Sequence, residues 1–248
     1  MKRFLASTSL CIAALSDPAH AFDITAMNDA ERAVLQEEIR AYIMANPQVI
    51  LDSVNQMEAQ QQEQQATDDL ALVAANAQAL FEDGYSWVGG NPEGDITVVE
   101  FLDYRCGYCR KAHDEVADLL SKDGNIRLIV KELPILGEAS TVSSRFAIAA
   151  KQVAGDNAYK AVHDALMTYG GQPTAAALGR LAESLGLDGA AIVAQMDSDD
   201  VTMEISKTRE LAQRLAIRGT PTFVMGGQLV RGYVPLDAMQ QIVNEERG

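Results

Sequence analysis

Two cysteines three residues apart, Cys106 and Cys109, are the side chains in this 248-residue protein best suited to chemistry. The third cysteine, Cys11, stands in the N-terminal segment. A disulfide between such close neighbours removes almost no chain entropy, so it is a poor staple and a good reversible couple. The tetrad Cys106-Gly107-Tyr108-Cys109 follows an apolar, β-branched run and precedes a helical stretch. A cysteine at that junction meets the free N–H groups and partial positive charge of a helix start, which favour a thiolate. Cys106 is therefore expected to be the nucleophile, with Arg105 and Arg110 adding positive charge, Gly107 permitting the tight start and Tyr108 exposed. Cys109, one turn further on, is placed to resolve a mixed disulfide. A second candidate is Gly219-Thr220-Pro221-Thr222-Phe223. A proline opening a strand after a glycine suits a cis bond, and a cis-proline loop offers backbone groups to an extended substrate.

The elements that must position these residues follow from periodicity. Ile96 to Leu102 is expected to be a strand buried on most sides, and it runs into the cysteine tetrad. Arg110 to Ser121 is helical and ends at Asp123-Gly124-Asn125. Ile126 to Val130 is a second strand, so strand, helix and strand imply a parallel pair with a crossover. Residues 138–216 are helical in pattern, with breaks at Gly155-Asp156, Gly170 to Pro173 and Gly186 to Gly189. Thr220 to Met225 and Gln228 to Tyr233 form a hairpin about Gly226-Gly227, and Pro235 begins a last helix. The fold class is thus α/β, with a helical block interrupting the α/β unit. Gly84 to Gly94 is expected to be a turn-rich junction.

Before that junction the pattern is helical throughout. Asn28-Asp29 caps a first helix carrying Leu35, Ile39, Tyr42 and Ile43 on one face. Asn46 is expected to cap a second helix with Pro47 at its first position. Nothing then stops that helix before Phe81. Its 4-3 spacing begins at Ile50, Val54 and Met57, lapses at Gln61, Gln64 and Asp68, and resumes out of phase at Leu70, Val73, Ala77 and Leu80. An interrupted seam means two apolar patches joined by a glutamine-rich spacer, Gln60 to Gln65, rather than a continuous coiled coil. The first patch can assemble subunits and the second can dock on the body. The other reading is one amphipathic helix lying across the domain.

Met1-Lys2-Arg3, the apolar run Phe4 to Leu15 and Ala19-His20-Ala21 have the order of a secretory signal, with cleavage near Ala21. The apolar run is too short to span a bilayer. The implied organisation is a leader at 1–21, a helical stalk at 22–84, a core from 85–137 and 217–248, and an inserted helical domain at 138–216. A net charge of −15 repels phosphate backbones and anionic lipid surfaces, so nucleic acid is not an expected partner.

The tetrad, the Thr220-Pro221 turn and the order of elements together resemble the thioredoxin superfamily. The closer similarity is to its DsbA-like branch with a helical insertion, over roughly residues 85–247. That resemblance implies a thioredoxin fold and an exported, periplasmic thiol–disulfide oxidoreductase acting on proteins, without a cofactor. It implies that Cys106 attacks, Cys109 resolves and a cis-Pro221 faces them. Glu100, six residues before Cys106, matches a buried acid that relays protons for the resolving cysteine; a strand-edge carboxylate on a solvated face is the other reading. Cys-Gly-Tyr-Cys and Thr220 before the proline are similar to periplasmic disulfide isomerases rather than to the DsbA oxidase. Isomerase or reductase is therefore the first reading and oxidase the second. The N-terminal stalk resembles that of the copper-sensitivity-suppressor (ScsC-like) group, implying a homo-oligomer through residues 28–60, and a membrane redox partner would recycle the cysteines. A different class stays open: Cys106, Cys109 and His113, at i, i+3 and i+7, as ligands for copper(I) or zinc. His163, on a helical face with Tyr159 and Leu166, offers no catalytic constellation of its own.

Overall fold

A computed structural model describes residues 24–248. The expected leader, its cleavage near Ala21 and Cys11 lie outside them. The chain divides into two compact units, one up to Ala59 and one from Gln60 to Gly248.

In the first unit α1 runs from Asp29 to Ala45. Asn28 closes a capping box, accepting from the Ala30 and Glu31 amides while Glu31 accepts from the Asn28 amide. Asn46 does not act as the expected N-cap. It is the C-cap of α1, and its side-chain amide returns to the Tyr42 carbonyl at 2.9 Å. α2 begins one residue after Pro47, at Gln48, and ends at Ala75. None of α1 is buried, and Ile39, Tyr42, Ile50, Val54 and Met57 are exposed.

The second unit takes the rest of α2 and the short α3, Ala77–Phe81. The helix expected to continue to Phe81 breaks at Asn76, whose side chain bonds back to the Leu72 carbonyl and accepts from Arg214. Of the second apolar patch, Val73 and Leu80 are buried while Leu70 and Ala77 face solvent. Five strands form one sheet in the order β1-β3-β2-β4-β5. They are β1 (Trp87–Gly90), β2 (Ile96–Leu102), β3 (Ile126–Glu132), β4 (Thr222–Met225) and β5 (Gln228–Arg231). β1 was not expected. It falls in the turn-rich junction, where Gly90 holds φ +65 so close to the Ile126 carbonyl that a Cβ would sit 2.4 Å away. Glycine there serves the close approach of an edge strand.

β2 and β3 are parallel and joined by α4, Gly107–Asp123, as a crossover; the other pairs are antiparallel. The inserted helices are α5 (Glu138–Ala154), α6 (Asp156–Thr168), α7 (Ala175–Ser184), α8 (Gly189–Gln195) and α9 (Asp199–Arg214), and α10 (Leu236–Arg247) closes the chain. Alternate residues of β2 enter different cores. Val98 and Leu102 pack with α4, α5, α6 and α10, whereas Val99 and Phe101 pack with Val73, Leu80, Leu211 and Leu215. Burial on both faces explains why β2 is apolar almost without alternation.

Two ion pairs, the second of them buried, tie the N-terminal part of this unit to the sheet. Asp69 on α2 accepts twice from the Arg231 guanidinium on β5. Lys131 on β3 is fully buried, donating to the Ala79 carbonyl at 2.8 Å and to Asp83. Burial lowers the Lys131 pKa, opposed by the bond and charge of Asp83. Burial raises Asp83, but the bonds from Lys131 and Ser86 outweigh it and leave the carboxyl below its ordinary value.

Removing one member of such a pair strands the other charge in the core. Asp83→Ala is expected to cost about 3–5 kcal/mol, and adding Lys131→Met should recover most of the loss. Urea midpoints of the two variants check this.

Candidate active site

β2 delivers the chain to the cysteines through Asp103-Tyr104-Arg105, a turn closed by the Cys106 amide on the Asp103 carbonyl at 3.0 Å. The Asp103 side chain fixes this turn, accepting from the Arg105 amide at 2.8 Å and from the Ile135 and Leu136 amides at 2.8 and 3.0 Å. Cys106 is the N-cap of α4, extended at φ −76 and ψ 117. Its sulfur therefore lies at the end of the helix where amide N–H groups have no intrahelical partner, a setting that favours negative charge. Gly107 is not needed for the tight start. A Cβ there would meet nothing within 4 Å, so the site tolerates a side chain. Tyr108 is exposed, 6.1 Å from the Tyr233 ring, over which Lys111 also lies.

The Thr220–Pro221 bond is cis and immediately precedes β4. The turn is set against the cysteines, and the Cys106 thiol donates to the Thr220 carbonyl at 3.1 Å. Beside it an open groove of about 530 Å³ is lined by Arg218, Gly219, Thr220, Pro221 and Gly232, among others. The groove does not reach the cysteines; the link to them is the Thr220 carbonyl, which borders the groove and accepts from Cys106.

Cys109 is fully buried one turn along α4. Burial pushes its thiol far up, and the charges of Glu100 and Cys106 add to this. The backbone of Asp103 and the side chain of Thr220 act in the opposite sense. Glu100 shares the face of β2 that carries Val98 and Leu102, and is 3% exposed. Its Oε1 has no hydrogen-bond partner among the described residues. Burial, then the charge of Glu132, push it up to about 8. Glu100 is thus an interior acid, not a solvated strand-edge carboxylate.

Glu132, at the end of β3, was not singled out in the sequence. It is buried and accepts from Tyr104 at 2.7 Å, Tyr159 at 2.6 Å and Ser144 at 2.7 Å. Burial raises it to about 7 in spite of these three hydroxyls. The signal available was a lone acid ending an apolar strand, but its partners come from three other segments. His163 joins the same network through its Nδ1, 3.0 Å from the Tyr104 hydroxyl. Burial pushes His163 down to about 3.

The charges flanking the tetrad are bonded to backbone carbonyls. Arg110 donates to the Tyr104 carbonyl at 2.8 Å and the Tyr169 carbonyl at 2.7 Å, and Arg105 to the Gly171 carbonyl at 3.3 Å. These bonds fasten the inserted helical block to the cysteine turn. His113 faces Asp164 at 3.3 Å. Among the described residues, the donor cluster containing His113 is completed by His163 and Asp164 and includes neither cysteine.

Comparison with known proteins identifies the family of the fold. Residues 97–244 match the DSBA-like thioredoxin domain family, and residues 31–64 match the copper resistance protein ScsC N-terminal domain. A thioredoxin-like oxidoreductase from Silicibacter pomeroyi DSS-3 is 43% identical with a TM-score of 0.64, covering 68% of this chain and 96% of that one. The Na(+)/H(+) antiporter NhaA 1 of Salinispora arenicola is 30% identical over 156 residues, 63% of this chain. This chain spans only 24% of the length of that antiporter. Disulfide bond formation protein D of Bacillus subtilis is 22% identical over 171 residues, covering 63% of this chain and 75% of that protein.

The buried acids make stability depend on pH. Glu100 holds its proton in the folded state up to about 8, whereas its ordinary value is 4.5. The folded chain then binds more protons than the unfolded one, so this contribution is complete below the ordinary value and is lost as pH rises towards 8. His163 has the opposite sign, gaining stability as pH rises from about 3 to 6.5. The difference between wild type and Glu100→Gln isolates the first effect. Denaturant titrations should show wild type losing ground to the variant steadily between pH 4.5 and 8.

Proposed function

Since this chain belongs to the DSBA-like thioredoxin domain family, we propose that it is an exported thiol–disulfide oxidoreductase acting on proteins in the isomerising or reducing direction. The observation that carries this is the 3.1 Å contact between the Cys106 sulfur, at a helix start, and the carbonyl of the cis Thr220–Pro221 turn. A client strand pairing beside that turn brings its disulfide to Cys106. The Cys106 thiolate attacks one client sulfur, forming a mixed disulfide and releasing the other as a thiolate. In isomerisation the freed client thiolate attacks elsewhere in the client, and a later client thiolate displaces Cys106. In reduction Cys109 loses its proton and attacks the Cys106 sulfur, which expels the client and leaves a Cys106–Cys109 disulfide. Ionised Glu100 is the acceptor for the Cys109 proton, and a value near 8 suits give and take close to neutral pH.

The direction rests on how positive charge is spent. No histidine stands between the cysteines. Arg105 and Arg110 are bonded to carbonyls, and burial disfavours a charge on His113. A thiolate sharing its charge mainly with the helix start makes the reduced form less favoured than an extra cation would, hence a milder oxidant. A couple whose reduced form is less favoured passes electrons to a client disulfide more readily, which suits the reducing direction. Thr220 and the Gly107-Tyr108 pair support the same reading. A membrane redox partner would supply the electrons that return the disulfide to two thiols.

The exposed apolar residues of residues 28–60 support assembly of several copies, which would raise the local concentration of active sites around one client. The deletion that tests this ends at Ala59, because Val73, Leu80 and Asp83 are built into the core. Light scattering should find the mature chain oligomeric and the truncated chain a folded monomer. A monomeric mature chain would remove assembly from the proposal.

Pre-reduced mature protein should restore activity to scrambled ribonuclease, and Cys106→Ala should abolish that recovery. No recovery, combined with rapid oxidation of reduced ribonuclease by the oxidised protein, would move the assignment to oxidase.

A further inference from the structure

α6 meets α4 at a set of donor atoms for which thiol exchange has no use. His113 comes from α4, His163 and Asp164 from α6, and one donor atom of each lies within 4.8 Å of the others. His113 Nε2 is 3.3 Å from Asp164 Oδ1. That oxygen is shielded from solvent and accepts no hydrogen bond among the described residues. A shielded carboxylate oxygen without a hydrogen bond is costly unless a cation or donor completes it.

The network behind His163 settles which of its nitrogens can bind. The Tyr104 hydroxyl has one proton and donates it to Glu132 Oε1 at 2.7 Å. Tyr104 can therefore only accept from His163 Nδ1 at 3.0 Å. The imidazole proton is then on Nδ1 and the lone pair on Nε2. Metal-bound histidines are held in the same way, with the second ring nitrogen donating to an oriented oxygen. His163 is 4% exposed and stacked on Tyr159 and Trp87, so its ring has little freedom to lose on binding.

We propose that His113, His163 and Asp164 form a site for a divalent transition ion of the Zn2+ class, separate from Cys106 and Cys109. Two imidazoles and one carboxylate suit such an ion, with a fourth position left for water; Ca2+ and Mg2+ prefer more oxygen ligands. Lys160 donates to Asp164 Oδ2 and leaves Oδ1 to the ion. Its charge opposes a second cation, while Asp114 beside His113 favours one. The bound ion would staple the helix that carries the cysteines to the inserted helical block.

The test uses mature protein with the Cys106–Cys109 disulfide formed, so that no thiol can bind, and Co2+ as probe. Trp87 is the only tryptophan, and its ring centroid is 6.5 Å from that of His163. One equivalent of Co2+ should give visible d–d bands and quench Trp87 emission, and Zn2+ should reverse both. His113→Ala and Asp164→Asn should each weaken binding about tenfold or more. Two variants guard against one that fails to fold, which circular dichroism would reveal. Absence of Co2+ binding by the oxidised wild type, or equal affinity in both folded variants, would overturn the site. Ribonuclease reactivation by reduced His113→Ala should persist, so this test and that of the redox reading fail independently.

Discussion

A strand paired along both edges and covered on both faces leaves nearly all its side chains no route to water, and β2, buried everywhere but at Thr97, is that strand. The cost of placing a carboxyl there is what gives Glu100 its raised pKa and makes it a neutral acid able to exchange a proton. The same strand ends where α4 begins, so one element both buries the acid and presents Cys106 at a helix start. Cys109, one turn along, inherits the dry surroundings. Both cysteines are buried, and they differ in place: Cys106 stands at the helix start and Cys109 one turn inside it.

The inserted helical block completes this environment. Ser144 and Tyr159 place hydroxyls on Glu132, and the carbonyls of Tyr169 and Gly171 take up the guanidinium groups of Arg110 and Arg105. Through these contacts the insertion fixes where those two cationic groups stand. It also decides how strongly a second buried acid repels the first. The block is thus part of the electrostatics around Glu100 and Glu132.

Much of this was legible in the chain itself. β2, β3, the α4 crossover, the terminal hairpin and the capped α1 all carry local signals: apolar runs, Gly-Gly at the turn, Asn28 with Glu31. What escaped notice depended on partners distant in sequence. β1 is an edge strand of four residues, two of them glycines, and it exists because β3 offers it a free edge. The helix break at Asn76 depends on side-chain bonds to Leu72 and Arg214. Asn46 looked like a helix start and serves as a helix end, because its amide found the preceding carbonyl first.

The sequence by itself determined the spacing of Cys106 and Cys109, their place between strand and helix, and the proline turn before β4, since spacing and local propensity are short-range properties. Only the tertiary structure decided that Glu100 lies in the interior, that Glu132 stands near it under three hydroxyls, and that His113 meets Asp164 and His163 rather than the cysteines. Desolvation and long-range charge depend on what surrounds a group in space. For these residues that surrounding is assembled from segments 12 to 59 positions apart in the chain.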